Sequence, residues 1–128
     1  MPIQWTISHP NRLVVAVCRD SVSRTDIEGY LDNVVVTDTL PYRKIFDMTR
    51  GVISLSDDDV MALGARVRAY VSLANMGPLA LVASSPESYE RARLFAALAD
   101  ARRPLKIFSE LHKARQWLDA QAPVTSSP

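Results

Sequence analysis

Hydrophobic and polar residues alternate from the start of the chain. Ile3, Trp5 and Ile7 fall on one side, and Gln4, Thr6 and Ser8 on the other. A period of two marks a strand with one buried face. His9-Pro10-Asn11 is a turn signal. Leu13-Val14-Val15-Ala16-Val17-Cys18 then runs apolar without a break, as a strand covered on both faces does. The two strands are close enough in sequence to form a hairpin. The period then lengthens. Ile27, Tyr30, Leu31, Val34 and Val35 form one helical stripe, and Thr25 with Glu28 has capping-box spacing ahead of it. The β-branched run Val34-Val35-Val36 weakens that helix slightly. Pro41 separates it from a third strand, Tyr42 to Met48.

The second helix has the clearest start. Ser56 is a good N-cap, and Asp57, Asp58 and Asp59 fill a first turn where the helix dipole favours negative charge. Val60, Leu63, Val67 and Val71 make its buried stripe, and Gly77-Pro78 ends the segment. Leu79 to Ala83 reads as a fourth strand. Ser85 caps a third helix with Pro86 at its first position, and Tyr89, Ala92, Phe95 and Ala96 face inward. Pro104 breaks it, Leu105 to Phe108 is a short fifth strand, and Ser109 caps a last helix with Leu111, Ala114, Trp117 and Leu118 inward.

The order β-β-α-β-α-β-α-β-α predicts an α/β fold with a five-stranded, mostly parallel sheet, only the first strand antiparallel. Strands three and five each carry a lysine, Lys44 and Lys106, which an interior strand covered on both faces seldom does. Helices mainly on one face, with a partly open second face, are therefore expected. One domain should span residues 1–121. Ala122 to Pro128, with two prolines and little to bury, reads as a flexible tail.

Composition narrows the function classes. The chain has 128 residues, 48% hydrophobic and 23% charged, with a net charge of +1. That is enough for one core, and it supplies no global field for nucleic acid or membrane surfaces. Cys18 is the single cysteine, so no internal disulfide forms. No apolar run approaches the roughly 20 residues that span a bilayer. The start, Met1-Pro2-Ile3-Gln4-Trp5, lacks the basic and apolar regions of a signal peptide. A cytoplasmic protein with no nucleic-acid partner and no membrane insertion is the expectation.

Several stretches resemble the SpoIIAA-like group that includes the STAS domain, over roughly residues 3 to 119. Lys44-Ile45-Phe46-Asp47-Met48 is similar to that family's strand ending in aspartate, and Ser56-Asp57-Asp58-Asp59-Val60 to the start of its next helix. Gly77 to Val82, Tyr89 to Phe95 and Ala114 to Leu118 resemble bacterial STAS-like proteins of unassigned role. The resemblance implies a strand-helix fold with this element order and a regulatory, protein-binding, non-enzymatic domain. In the family's anti-sigma antagonists, a serine at the start of the second helix is phosphorylated. Here Ser56-Asp57-Asp58-Asp59 stands where the family has Asp-Ser-x-Gly, so Asp57 or Asp58 occupies the serine position. The resemblance therefore implies a chain without that phosphorylatable serine.

Other chemistry is sparse. Three successive aspartates point about 100° apart on a helix and do not converge on one metal ion. His9, in a turn, and His112, in a first helical turn, have no partner at metal-ligand spacing. Cys18 ends a buried strand and reads as a core residue. No nucleophile-base set and no glycine-rich phosphate loop is present, so neither a catalytic residue nor a cofactor is expected. The loop after strand three, Asp47-Met48-Thr49-Arg50-Gly51, lies at the carboxyl end of a parallel strand, where α/β sheets bind ligands. Ser84 and Ser85 lie at the same end, ahead of a helix N-terminus that favours anions. Asp47, Thr49, Arg50, Ser56, Asp57, Asp58, Ser84 and Ser85 are thus the candidate partner or anion surface. The plainer reading is that Thr49 and Ser85 cap turns and Arg50 pairs with Asp47. Arg91, Arg93, Arg102, Arg103, Lys113 and Arg115, mixed with glutamates, read as a solvated face.

The partner is expected to be another protein, or a second copy joined through the open sheet face. The alternative is a carrier of a small apolar or amphipathic, lipid-like ligand. Trp5, Tyr30, Tyr70, Tyr89, Phe95 and Trp117 would line its pocket, which should measure roughly 300 Å³ or more.

Overall fold

The computed structural model describes residues 2–99 and 103–121. The expected tail, Ala122 to Pro128, and Arg102 lie outside the described residues. The elements follow the order read from the pattern: β1 (Ile3–Ser8), β2 (Leu13–Val22), α1 (Arg24–Val36), β3 (Arg43–Ile53), α2 (Asp57–Tyr70), β4 (Leu79–Val82), α3 (Pro86–Ala99), β5 (Leu105–Phe108) and α4 (Leu111–Asp119). The five strands form one sheet in the order β1-β2-β3-β4-β5. β1 pairs antiparallel with β2, from Ile3 opposite Cys18 to Ser8 opposite Leu13, and the other pairs are parallel.

This order explains where the helices lie. α1, α2 and α3 each connect one parallel strand to the next in the same direction across the sheet. Right-handed crossovers therefore put all three on one face, here called the front. The front core packs Val14, Ala16, Phe46, Met48, Leu79 and Leu81 against Ile27, Leu63, Val67 and Ala92. α4 follows the last strand, connects to nothing further and escapes that rule. It covers the back face instead, where Ala114 and Leu118 pack on Ile45, Ala80 and Val82. The expected open second face is corrected to this extent: α4 closes the back over β3, β4 and β5. Gln4 and Thr6 of β1 stay exposed.

The lysine argument fails at Lys44. That residue alternates with Ile45 onto the front face and is buried, whereas Lys106 is exposed with its ammonium over the Phe108 ring. β2 and β3 also outrun expectation. After an irregularity between Val17 and Arg19, Arg19 to Val22 pair with Arg50 to Ile53 and form a two-stranded extension beyond the end of β4.

Helix starts were legible where a short polar side chain meets an acid three residues on. Ser56 caps α2 in a full capping box with Asp59. At α1 the box is Ser23 with Asp26, two residues before the expected Thr25 with Glu28. Ser85 bonds Ser88 N–H at the head of α3. α4 is capped at Glu110 with no side-chain bond, not at Ser109. Val71, Tyr89 and Leu111 were expected inward and are exposed. α2 and α3 approach closely at Gly64, where an added Cβ would lie 2.9 Å from the Leu98 Cβ.

Candidate functional site

The predicted surface is distributed along the carboxyl end of the sheet. Asp47 is buried, and its Oδ1 accepts from Thr49 N–H at 2.9 Å and Thr49 Oγ1 at 2.7 Å. Thr49 and Arg50 belong to β3 rather than to a loop, because the β2 extension continues their backbone pairing. Among the described residues no ion pair joins Arg50 to Asp47. Ser56 is occupied as a cap, since its Oγ accepts from Asp59 N–H at 3.1 Å. Asp59 accepts in return from Ser56 N–H at 3.0 Å. That bond holds its carboxyl below the ordinary range, helped by the Arg24 guanidinium. Asp57 ion-pairs with Arg91 of α3 at 2.7 Å, while Asp58 is exposed. Ser84 is exposed, and Ser85 Oγ lies 2.8 Å from Ser88 Oγ. The structure thus brings Asp47 to Thr49 and Asp57 to Arg91, engages Ser56 and Ser85 in capping, and leaves Arg50, Asp58 and Ser84 exposed.

A second location is more distinctive. Between the front of the sheet and helices α1, α2 and α3 lies an apolar cavity of about 80 Å³. Phe46, Leu63, Val67, Tyr70, Met76 and Phe95 contribute to its wall. Of the aromatic residues expected to line a pocket, Tyr30, Tyr70 and Phe95 do so. Trp5 instead lines a separate, more open cleft of about 250 Å³ with Ile3, Thr25, Asp26 and Tyr30, and packs edge-on against Tyr30 at 5.5 Å. Tyr89 is exposed, and Trp117 meets Phe108 at a tilt on the back.

The polar side chains on that wall include Tyr30, Lys44 and Arg103. Lys44 is 4% exposed, and its Nζ donates to Leu40 O at 2.5 Å and Tyr42 O at 2.7 Å. Arg103 Nη1 donates to Gly77 O at 3.4 Å, while its Nε is buried with no acceptor among the described residues. The Tyr30 hydroxyl is also buried with no hydrogen-bond partner. Low polarity around the group shows in all three. Burial, with the Arg103 charge, pushes the Lys44 ammonium well below the ordinary lysine value. Burial lowers Arg103 to about 10 and raises the Tyr30 phenol. A third cation at the cavity, Arg91, ion-pairs with Asp57.

Local backbone builds this corner. Gly77 N–H donates to Leu40 O at 2.9 Å, and Lys44 N–H to Pro78 O at 2.8 Å. A Cβ at Gly77 would lie 2.2 Å from Tyr42 O and 2.3 Å from Pro41 O, so only glycine lets the two segments meet. Composition offered one signal for the cluster, a lysine inside the apolar run Ile45-Phe46 and Met48. The pattern could not show that Lys44 faces a covered side, nor that Arg103 leaves the solvated face assigned to it.

The sequence-predicted histidines sit elsewhere. His9 Nδ1 is 2.8 Å from the Tyr42 hydroxyl at the surface, and His112 is exposed on α4. Cys18 is fully buried, and burial pushes its thiol up to about 12, with Asp47 adding to the shift. Among the described residues, no group of three or more His, Cys, Asp or Glu side chains is placed to hold a metal, and no helix is long and apolar enough to cross a membrane. No protein-family model and no curated protein sequence matches the chain.

Proposed function

We propose that this chain is a non-enzymatic binding domain, STAS-like in its element order, that holds a small amphipathic molecule between the front of its sheet and helices α1, α2 and α3. The observation that carries this reading is an apolar cavity whose wall includes buried polar atoms, the Tyr30 hydroxyl and Arg103 Nε, with no hydrogen-bond partner among the described residues. A purely structural core excludes such groups or satisfies them. Small-molecule sites combine an apolar lining with a few convergent polar groups.

The cavity, about 80 Å³, is smaller than the pocket of roughly 300 Å³ expected for a preformed carrier. Binding on this reading therefore displaces a wall. α1 is the wall suited to move. It meets α2 through ion pairs at the rim, Arg66 with Asp32 at 2.7 Å and Glu28 at 3.8 Å, and Arg24 with Asp59 at 3.6 Å. Such exposed pairs contribute little each. α2 and α3 are instead in close backbone contact at Gly64.

Native mass spectrometry of gently purified protein, followed by hydrogen exchange, tests this. A retained small molecule, with α1 amides exchanging more slowly when it is bound, supports the reading. A bare chain whose α1 exchange does not respond to added amphiphiles ends it. The same spectrum counts subunits and so reports on a second copy as partner.

A protein partner at the start of α2 is the second reading. It is favoured by the exposed Val52 (67%) on β3 and Met61 (53%) on α2, which flank the exposed acid Asp58 in sequence. Reversing the charge of Asp57 and Asp58 should then weaken a partner complex without unfolding the domain. Unchanged binding would count against that surface. A cytoplasmic setting fits either reading.

A further inference from the structure

Among the described residues, the front layer holds Lys44 and Arg103 at its cavity and no buried acid. Lys44 and Arg103 line one cavity, close enough for the charge of Arg103 to act on Lys44. Among the described residues, neither forms an ion pair with an aspartate or glutamate. The buried acid on the same strand, Asp47, alternates onto the back of the sheet, and its Oδ1 is taken by Thr49. The backbone acceptors nearby are already shared, since Leu40 O takes both Lys44 Nζ and Gly77 N–H.

Burying a cation removes its hydration, and only a counter-charge or several good acceptors restore the loss. Two adjacent cations raise that cost, because each repels the other. The missing group must accept hydrogen bonds, because Arg103 Nε and the Tyr30 hydroxyl are donors without acceptors among the described residues. It must also be negative, since it faces an ammonium and a guanidinium. A carboxylate meets both demands, with two oxygens and a shape that suits the planar guanidinium. Phe46, Leu63, Val67 and Phe95 offer nothing to a second polar group.

Resting on the reading that this cavity takes an amphipathic molecule, we infer that the ligand is an organic acid with an apolar body, its carboxylate held by Lys44 Nζ, the Arg103 guanidinium and the Tyr30 hydroxyl. Its apolar end lies along the α1 and α2 side of the front core. Recognition therefore depends on the acid and the chain together.

The test compares three probes on the full chain by calorimetry at neutral pH: octanoate, octan-1-ol and inorganic phosphate. Octanoate should bind about tenfold or more tighter than octan-1-ol, and phosphate should not bind measurably. Lys44→Met and Tyr30→Phe should weaken octanoate by about tenfold and a few-fold respectively, leaving octan-1-ol unchanged. The comparison of probes on the unaltered chain stands even if a variant fails to fold. Equal affinity for octanoate and octan-1-ol overturns the acid inference while leaving an apolar ligand in place. Phosphate binding as tightly as octanoate overturns the need for an apolar body. Binding of neither chain compound overturns the reading on which the inference rests.

Discussion

The two faces of the sheet solve the same problem differently. The back is closed by one nine-residue helix, and its core is a small set of side chains, Ile45, Ala80, Val82, Ala114 and Leu118, all apolar and all buried. The front is covered by three longer helices, contains a cavity of about 80 Å³ and buries the Lys44 ammonium, the Arg103 Nε and the Tyr30 hydroxyl against it. The back is mostly packing, and its polar side chains lie at the margin of that cluster. Asp47 has its Oδ1 taken by Thr49, and Arg43 donates to Leu118 O at 3.4 Å, its own Nε buried without an acceptor among the described residues. The front departs further from packing at Tyr30, Lys44 and Arg103, and departures of this kind gather at binding sites.

The contrast can be broken most severely at Gly77, which seats the corner beside Lys44. Gly77→Ala should cost about 4 kcal/mol or more, since its Cβ would overlap two backbone carbonyls that cannot yield independently. A loss below about 1 kcal/mol in a urea titration would show that the segments can separate. Next comes the back face. Leu118→Ala removes the largest helix contribution to a closed cluster and should cost about 2–5 kcal/mol.

Capping lies lower on the scale. Ser56→Ala should cost about 1 kcal/mol by leaving the Asp59 N–H without its side-chain acceptor. Asp59 adds a pH dependence of known sign. Its carboxyl is held down in the folded chain by the Ser56 N–H, so its contribution is complete above the ordinary carboxylate range and is lost as pH falls through the folded value. Acid titration of stability in the parent and in Asp59→Ala would reveal this as a difference that narrows at low pH.

The smallest expected effect sharpens the comparison most. Lys44→Met should change stability by no more than about 1 kcal/mol. It removes a buried charge, which stabilises, and deprives Tyr42 O of its donor, which destabilises. A loss as large as that of Leu118→Ala would mean that Lys44 is a structural strut like the residues of the back face.

Much of the architecture could be read from local pattern, and particular residues show why. The alternation Ile3-Trp5-Ile7, the capping box at Ser56 and the Ser85-Pro86 start of α3 involve residues within three or four positions of one another. Their consequences follow from backbone geometry alone. The end of β3 could not be read in this way. Thr49-Arg50-Gly51 has the composition of a loop and becomes strand because Arg19 to Val22 lie alongside it, a pairing set by residues some thirty positions away. The box at Ser23 was missed because Thr25 with Glu28 has the same spacing two residues later.

The candidate surface and the cavity divide along the same line. Ser56, Asp57 and Asp58 could be named because a helix start is a local event. Tyr30, Lys44 and Arg103 could not be grouped, since they come from a helix, a strand and the segment before β5 and meet only across the packed front layer. By itself the sequence determined the element order, the parallel pairing and the front placement of the three crossover helices, because periodicity and handedness act locally. Only the tertiary structure decided that α4 takes the back and that Lys44 points inward beside Arg103. Neither is constrained by a crossover or by the chemistry of its neighbours in sequence, and both depend on which surfaces the rest of the chain leaves to be covered.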